Sequence, residues 1–170
     1  VKKLSGKDLS FNNIYDLEIA IELAEQFKLQ SCVILKHGNP CGVALAKDQK
    51  KAYHKALKCD PISAFGGIVA FNKTVTLSTA KEILKLFTEV VVAPNFESKA
   101  LEFLKTKKNL ILVKYVSSGK NNSISIKSTR NFLLTQEKDV KTISKKDISF
   151  KTRKKVNQKV LDDLIFGFIV

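Results

Sequence analysis

The sequence has 170 residues, of which 44% are hydrophobic and 27% charged, and its formal net charge is +14. This length and balance predict a globular chain with a sizeable buried core, of one domain or little more. No apolar run reaches the roughly 18 residues of a membrane span and no signal-peptide pattern is present, so we expect no membrane association.

Nearly all the positive charge comes from lysine, since Arg130 and Arg153 are the only arginines among 30 basic residues. There is no Trp, and aromatic residues do not alternate with basic ones as they do on single-strand nucleic-acid platforms. We therefore expect a solvated basic surface that suits phosphate-bearing ligands, with no nucleic-acid partner. A nucleic-acid-binding module is the alternative. Three Cys without Cys-x-x-Cys spacing predict free thiols in a reducing, cytoplasmic compartment.

The first third of the chain predicts a helix, a strand and a second, short helix. Apolar residues recur every three or four positions over 14–27, which predicts an amphipathic helix ending near Lys28 with Asn13 as its N-cap. The apolar run 32–35 predicts the first strand. Because proline suits the first turn of a helix, Asn39 and Pro40 predict a short helix directly after that strand.

The next segments alternate between helical and strand patterns. The predicted helices are 49–58, 78–87 and 97–105, and the predicted strands are 68–71, 90–93 and 110–113. Fully apolar strands separated by helices predict an α/β fold, with a three-layer α/β/α arrangement around a mostly parallel sheet. Beyond Tyr115 we expect a loop at 117–122, a hairpin of strands near 123–126 and 132–134, an exposed charged segment at 140–155, and a helix from Val160.

Lys36 and His37 stand side by side at the end of the first predicted strand, before a Gly-Asn-Pro turn. Histidine suits proton transfer near neutral pH, and lysine can stabilise a developing negative charge. From spacing alone, acid–base catalysis and a structural or surface role remain equal alternatives. Cys41 is a candidate nucleophile if it lies at a helix N-terminus near His37, and a packing residue otherwise. No metal-ligand spacing occurs, so we expect no metal.

Five stretches, in order along the chain, carry a resemblance to one enzyme family. They are GKDLSFNNI at 6–14, KHGNPCGVA at 36–44, DPISAFGGIVAFN at 60–72, EVVVAP at 89–94 and LLTQ at 133–136. Together they resemble the AICAR transformylase region of the AICAR transformylase/IMP cyclohydrolase family. The combination is highly specific and extends along nearly the whole chain.

The resemblance implies an activity in de novo purine biosynthesis. The family transfers a formyl group from 10-formyltetrahydrofolate, its co-substrate, to the 5-amino group of 5-aminoimidazole-4-carboxamide ribonucleotide (AICAR). The complete protein is also an IMP cyclohydrolase, and it acts as a homodimer. The implied fold is a cytidine deaminase-like subdomain without the zinc, and no metal is needed for the chemistry.

The resemblance also implies roles for individual residues. His37 would take the proton of the substrate amine, and Lys36 would stabilise the transition state and help to protonate the folate nitrogen that leaves. The implied substrate contacts are Asn13, Phe65, Gly66 and Glu89, with Asn39 and Pro40 shaping the loop.

The family pattern has further segments on both sides of this stretch. Residues 1–170 are therefore expected to be the first subdomain of the transformylase region, with the cyclohydrolase domain and the second transformylase subdomain absent, and to be inactive alone.

Overall fold

The computed structural model describes residues 1–117, 124–139, 141 and 143–170. The chain divides into two compact units, residues 1–117 and residues 118–170. The first unit contains β1 (Lys2–Ser5), α1 (Phe11–Glu25), β2 (Gln30–Lys36), β3 (Asn39–Ala46), α2 (Gln49–Cys59), β4 (Ile68–Phe71), α3 (Leu77–Ile83), β5 (Val90–Ala93), α4 (Ser98–Lys105) and β6 (Ile111–Lys114).

The sheet of the first unit has six strands in the order β1-β6-β5-β4-β2-β3. β4 and β5 pair in parallel, as do β5 and β6, whereas the β1–β6, β2–β3 and β2–β4 pairs are antiparallel. The predicted α/β class is confirmed, but the mostly parallel sheet is wrong because the sheet is mixed. Only His37 and Gly38 separate β2 from β3, and parallel neighbours need a crossover of about a dozen residues or more.

The short helix expected after the Lys-His pair is also wrong, because that segment begins β3. β3 is an edge strand and carries a bulge: Ile34 pairs with Gly42 and Leu35 with Pro40, which leaves Cys41 as the extra residue. Proline has no N–H to donate, and edge strands and bulges are the places in a sheet where it is tolerated. Pro40 is compatible with the first turn of a helix and with an edge strand, so the proline alone led to the wrong prediction of a helix at this position.

Helix α1 begins three residues earlier than its apolar pattern indicates. Its N-cap is Ser10 and not Asn13. The Ser10 hydroxyl accepts the Asn13 N–H at 3.1 Å, and the Asn13 side-chain oxygen accepts the Ser10 N–H at 3.1 Å. This reciprocal pair satisfies two backbone donors that the helix cannot. It also buries the Asn13 side chain on the inner side of the helix.

The core lies against both faces of the sheet. On one face, a buried cluster joins alternate strand residues to α2, α3 and α4; its larger members include Ile34, Tyr53, Val69, Phe71, Ile83, Val91, Leu104 and Leu112. Helix α1 contacts β2, β4 and β5. Its buried residues Leu17, Ala20, Ile21 and Ala24 recur at the spacing of one helix face. The carboxyl end of β2 is therefore held by a closely packed frame.

The second unit is a β-hairpin, a short 3-10 turn and a helix. β7 (Ile124–Ser128) and β8 (Leu133–Glu137) pair antiparallel, and α5 spans Gln158–Ile169, so the hairpin and the last helix are confirmed. None of the residues described in this unit is buried. Past Ser117, the loop predicted at 117–122 lies outside the described residues. No helix in the described parts of the chain is long and apolar enough to cross a membrane.

Gly42 is a point of close packing between β3 and α2. A Cβ atom placed there would collide with the backbone carbonyl oxygen of Ala56. We expect Gly42→Ala to lower the free energy of unfolding by about 1–3 kcal/mol, because the backbone must shift to admit the methyl group. The measurement is urea unfolding followed by circular dichroism.

The matched control is Gly167→Ala in α5, where a Cβ would meet nothing within 4 Å. Alanine favours a helix over glycine, so this change should leave stability equal or slightly higher. A Gly42→Ala protein as stable as the wild type would contradict the close contact between β3 and α2.

Candidate active site

The Lys-His motif lies at a two-residue hairpin turn. Lys36 ends β2 and pairs with Asn39, the first residue of β3. Between them His37 has φ +53° and Gly38 has φ +75°, the consecutive left-handed conformations of a type I′ turn. Glycine adopts this conformation freely, whereas for histidine it costs about 1–2 kcal/mol. The rest of the structure must therefore hold His37 in place.

Asp16 of α1 binds the backbone of this turn. Its Oδ2 accepts the His37 N–H at 2.9 Å and its Oδ1 accepts the Gly38 N–H at 2.7 Å. Asp16 is 8% exposed. Hydrogen bonds to a charged group contribute about 1.5–3 kcal/mol each, so two of them offset the cost of the left-handed histidine. Sequence reasoning missed Asp16: its spacing from Asn13 places the two residues on one helix face, but no local pattern shows the contact of Asp16 with the turn.

Two cavities flank the turn, and Lys36 and His37 line both of them. We call the first, of about 370 Å³, the β3-side cavity; its lining is completed by Asn39, Pro40, Cys41, Asp60 and Ser63. We call the second, of about 220 Å³, the α1-side cavity; its lining includes Ser10, Asn12, Asn13, Asp16, Gly66, Gly67, Ile68 and Glu89. The pair thus stands between two spaces, each large enough for part of a ligand.

The structure brings most of the proposed site residues together. Asn13, Lys36, His37, Gly66 and Glu89 all line the α1-side cavity. They come from α1, from the β2–β3 turn, and from the segments before β4 and β5. Their functional roles remain predictions, but residues up to 76 positions apart in sequence share one cavity wall (89 minus 13).

The remaining proposed residues lie next to these. Asn39 and Pro40 line the β3-side cavity, and the Asn39 amide donates to the His37 carbonyl oxygen at 3.1 Å. Phe65 contacts the Lys-His motif through its backbone and not through its ring. Its carbonyl oxygen accepts a hydrogen bond from Lys36 Nζ at 2.7 Å, while the residue is largely exposed. Lys36 therefore ties the end of β2 to the loop before β4.

That loop is also fixed from the opposite side. Gly66, at φ +74°, donates its N–H to the Phe87 carbonyl oxygen at 2.8 Å, and the Glu89 N–H is bonded to the Gly67 carbonyl oxygen at 3.1 Å. The rings of Phe65 and Phe87 pack with centroids 5.2 Å apart. These contacts place Glu89 beside Gly66, which explains how two distant sequence motifs meet.

Glu89 is held by a second residue that sequence reasoning did not single out. Lys7 Nζ lies 2.8 Å from Glu89 Oε1, and the Glu89 side chain is 29% exposed. Exposed ion pairs contribute about 0–1 kcal/mol, so Lys7 orients the carboxylate more than it stabilises the fold. Among the described residues, Glu89 Oε2 has no hydrogen-bond or ion-pair partner of its own.

Cys41 lies close to His37 but in an environment that opposes thiolate formation. Partial burial raises the pKa of the Cys41 thiol, and the negative charge of Asp60 raises it further, while Lys36 acts in the opposite direction. The helix N-terminus that could have lowered this pKa is a strand instead. The packing interpretation of Cys41 is therefore the better one.

No metal centre is formed by the described residues, among which no three His, Cys, Asp or Glu side chains are grouped to hold an ion. The chemistry available from the described residues is that of an imidazole, an ammonium group and a carboxylate around a polar cavity. Such a set can move a proton and stabilise a negative charge.

Comparison with known proteins identifies the family. A family model described as the AICARFT/IMPCHase bienzyme matches residues 1–170. The chain belongs to this family.

Relatives within the family are named bifunctional purine biosynthesis protein PurH. The protein from Thermoanaerobacter sp. (strain X514) is 46% identical over 169 residues, covering 99% of this chain and 33% of the relative. The one from Buchnera aphidicola subsp. Schizaphis graminum is 45% identical over 170 residues, covering 99% and 32%. The chain thus spans about a third of the length of these curated relatives.

Among solved structures, one from Desulfotalea psychrophila, described as a candidate formate dehydrogenase accessory protein, matches with a TM-score of 0.49 and 14% identity. The match covers 79% of this chain and 57% of that one.

The environment of Cys41 gives a prediction for thiol reactivity. Burial and the charge of Asp60 raise the pKa of Cys41 above the ordinary thiol value of 9.0, so only a small fraction of this thiol is ionised near pH 8. We expect Asp60→Asn to speed alkylation of Cys41 at a fixed pH near 8, because a negative charge that disfavours the thiolate is removed. Peptide mass spectrometry after timed iodoacetamide treatment measures the rate.

In the same samples, buried Cys32 is the internal control and should remain unmodified in the folded protein. A rate at Cys41 that is unchanged or slower in Asp60→Asn would show that Asp60 does not control this thiol.

Proposed function

We propose that this chain carries part of the site that transfers a formyl group from 10-formyltetrahydrofolate to the 5-amino group of AICAR. The observation that supports the proposal is the meeting of Asn13, Lys36, His37, Gly66 and Glu89 around the α1-side cavity. Membership of the bienzyme family makes purine biosynthesis the context.

In the proposed reaction, His37 acts as the general base. Its exposed imidazole takes a proton from the AICAR amine while the amine nitrogen attacks the formyl carbon of the folate. A new C–N bond forms, and the formyl oxygen carries a negative charge in the tetrahedral intermediate. The bond between the formyl carbon and the folate nitrogen then breaks, and that nitrogen receives a proton as it leaves.

Lys36 supplies positive charge and the proton for the leaving nitrogen. The ammonium group has three N–H donors, of which one is directed to the Phe65 carbonyl oxygen. The other two are left to face a formyl oxygen or the folate nitrogen. A fixed positive charge close to a developing oxyanion lowers the energy of the transition state.

The polar groups around the α1-side cavity suit the nucleotide substrate. The Glu89 carboxylate accepts hydrogen bonds from amino groups, the Gly66 backbone can approach a base closely because it has no Cβ, and Asn13 offers an amide. The positive charge of the chain favours the phosphate of AICAR. The folate would lie towards the β3-side cavity, on the opposite side of Lys36 and His37.

The larger assembly is part of the same proposal. Residues 1–170 would form the first subdomain of the transformylase region, with a three-layer, cytidine deaminase-like arrangement that lacks zinc. The complete protein would be a cytoplasmic homodimer with IMP cyclohydrolase activity as well. It would use folate as co-substrate without a metal or a nucleic-acid partner. This chain, a third of its relatives' length, would be inactive alone.

The proposal predicts the effects of two substitutions, made in a complete PurH-type protein that contains this sequence. His37→Ala should all but abolish AICAR-dependent deformylation of 10-formyltetrahydrofolate, leaving only a small residual rate, because the base is lost. Lys36→Ala should lower kcat by a factor of roughly 100 or more, because charge stabilisation and proton donation are lost. A spectrophotometric assay of tetrahydrofolate production measures both.

Matched controls are His54→Ala on α2 and Lys81→Ala on α3, which remove the same side chains away from both cavities. Each should retain near-normal kcat. If the His37→Ala protein also turned over at the wild-type rate, the assignment of the base would be wrong.

A further inference from the structure

The contact between Asp16 and the turn uses both carboxylate oxygens on two successive backbone amides. Oδ2 accepts from His37 at 2.9 Å and Oδ1 from Gly38 at 2.7 Å. Successive N–H groups that converge in a turn form a concave site for an anion. Here the anion is a side chain of the protein itself, 8% exposed and 21 residues earlier in the sequence than His37.

This contact reaches His37 through its backbone only. Among the described residues, no side chain hydrogen-bonds to the His37 imidazole, which is solvent-exposed. Asp16 therefore differs from the carboxylate of a catalytic dyad, which bonds to the ring itself. What Asp16 sets is the backbone conformation of His37, and with it the direction in which the side chain leaves the turn.

The same helix carries the residue proposed to bind the nucleotide. Asn13 is fixed at the start of α1 by its reciprocal hydrogen bonds with Ser10, and Asp16 follows it by three residues. Residues three apart in a helix lie on one face, and both line the α1-side cavity. Through Asp16, one rigid helix sets the distance between Asn13 and His37.

Side chains of α1 also pack closely against the turn at Gly38. A Cβ at Gly38 would lie 3.2 Å from a ring carbon of Tyr15 and 3.9 Å from Ile19, both on α1. Glycine at this position thus serves the left-handed turn and the close approach of the helix together. The carboxylate of Asp16 lies at the centre of a tight junction, where a small shift of the turn would displace the imidazole.

We propose that Asp16 is a positioning residue of the formyl-transfer site: it holds the left-handed His37–Gly38 turn against α1 so that the imidazole meets the substrate amine. This inference rests on the proposed function. Misplacing a reacting group by about 1 Å can reduce turnover about 100-fold while the substrate still binds. Loss of Asp16 should therefore affect kcat far more than KM.

The kinetic test uses Asp16→Asn and Asp16→Ala in a complete PurH-type protein with this sequence. Asparagine keeps one acceptor oxygen and alanine keeps none, so kcat should fall in that order, by about 10-fold and about 100-fold. KM for AICAR should change by less than about threefold. The control is Asp48→Ala, which removes an exposed carboxylate that accepts one backbone N–H at the start of α2, and it should leave kcat unchanged.

A double-mutant cycle separates positioning from a general structural effect. If Asp16 acts through His37, then Asp16→Asn should cause no further loss of the residual activity once His37 is alanine. A further loss of 10-fold in that background would show that Asp16 acts elsewhere, and the inference would be overturned.

A second measurement uses the 170-residue chain itself and does not depend on activity. In amide hydrogen exchange by NMR, the His37 and Gly38 amides should exchange at least 10-fold faster in Asp16→Ala than in the wild type, because both acceptor oxygens are lost. The Asn13 amide, bonded to Ser10, should be unchanged. Equal protection of the turn amides in both proteins would overturn the inference.

The two proposals fail in different ways. If the complete wild-type protein transfers no formyl group to AICAR, or if His37→Ala keeps the wild-type rate, the proposed function is wrong. The positioning role of Asp16, which rests on it, is then wrong as well. If His37→Ala is inactive while Asp16→Asn and Asp16→Ala keep the wild-type kcat, the formyl-transfer site stands and the positioning role alone is wrong.

Discussion

Two consecutive left-handed residues, His37 and Gly38, reverse the chain between β2 and β3. A turn this short makes the two strands antiparallel, and β2 is also antiparallel to β4 on its other side. The direction of β3 relative to β2 therefore depends on this turn. The same turn places the His37 side chain between two cavities, so the feature that sets the topology also sets the geometry of the candidate site.

The left-handed histidine is stable because other segments bind to it. Asp16 bonds to the turn from α1, and Lys36 bonds to the Phe65 carbonyl oxygen in the loop before β4. That loop is in turn bonded to the segment before β5. Hydrogen bonds to buried or backbone groups thus link three sequence motifs into one cavity wall. A site assembled in this way depends on the packing of the whole first unit.

Sequence patterns were sufficient for the elements that are long or fully apolar. The helix at Gln49–Cys59 and the strands at Ile68–Phe71 and Val90–Ala93 agree with prediction within a residue or two. Such segments carry a strong periodic or continuous apolar signal. The family was likewise recognisable from short motifs, because Lys36 to Ala44 and Asp60 to Asn72 combine unusual residues in a fixed order.

The elements that were missed depend on contacts between segments that are distant in sequence, which local patterns do not show. β1 (Lys2–Ser5) is short and half polar, and it is a strand because it pairs with β6. β3 was mistaken for a helix start, since Pro40 is compatible with both and only pairing with β2 decides between them. Asp16 was missed for a related reason: its partners lie 21 and 22 residues away, and no local pattern shows a contact formed by folding.

The position of β3 at the edge of the sheet has a consequence for association. An exposed edge strand presents unpaired backbone groups, to which a strand from another chain could add. In β3 that row is interrupted close to the turn, where Pro40 has no N–H to donate and the bulge at Cys41 shifts the register. A foreign strand therefore cannot continue a regular ladder up to His37, whose side chain lines the β3-side cavity.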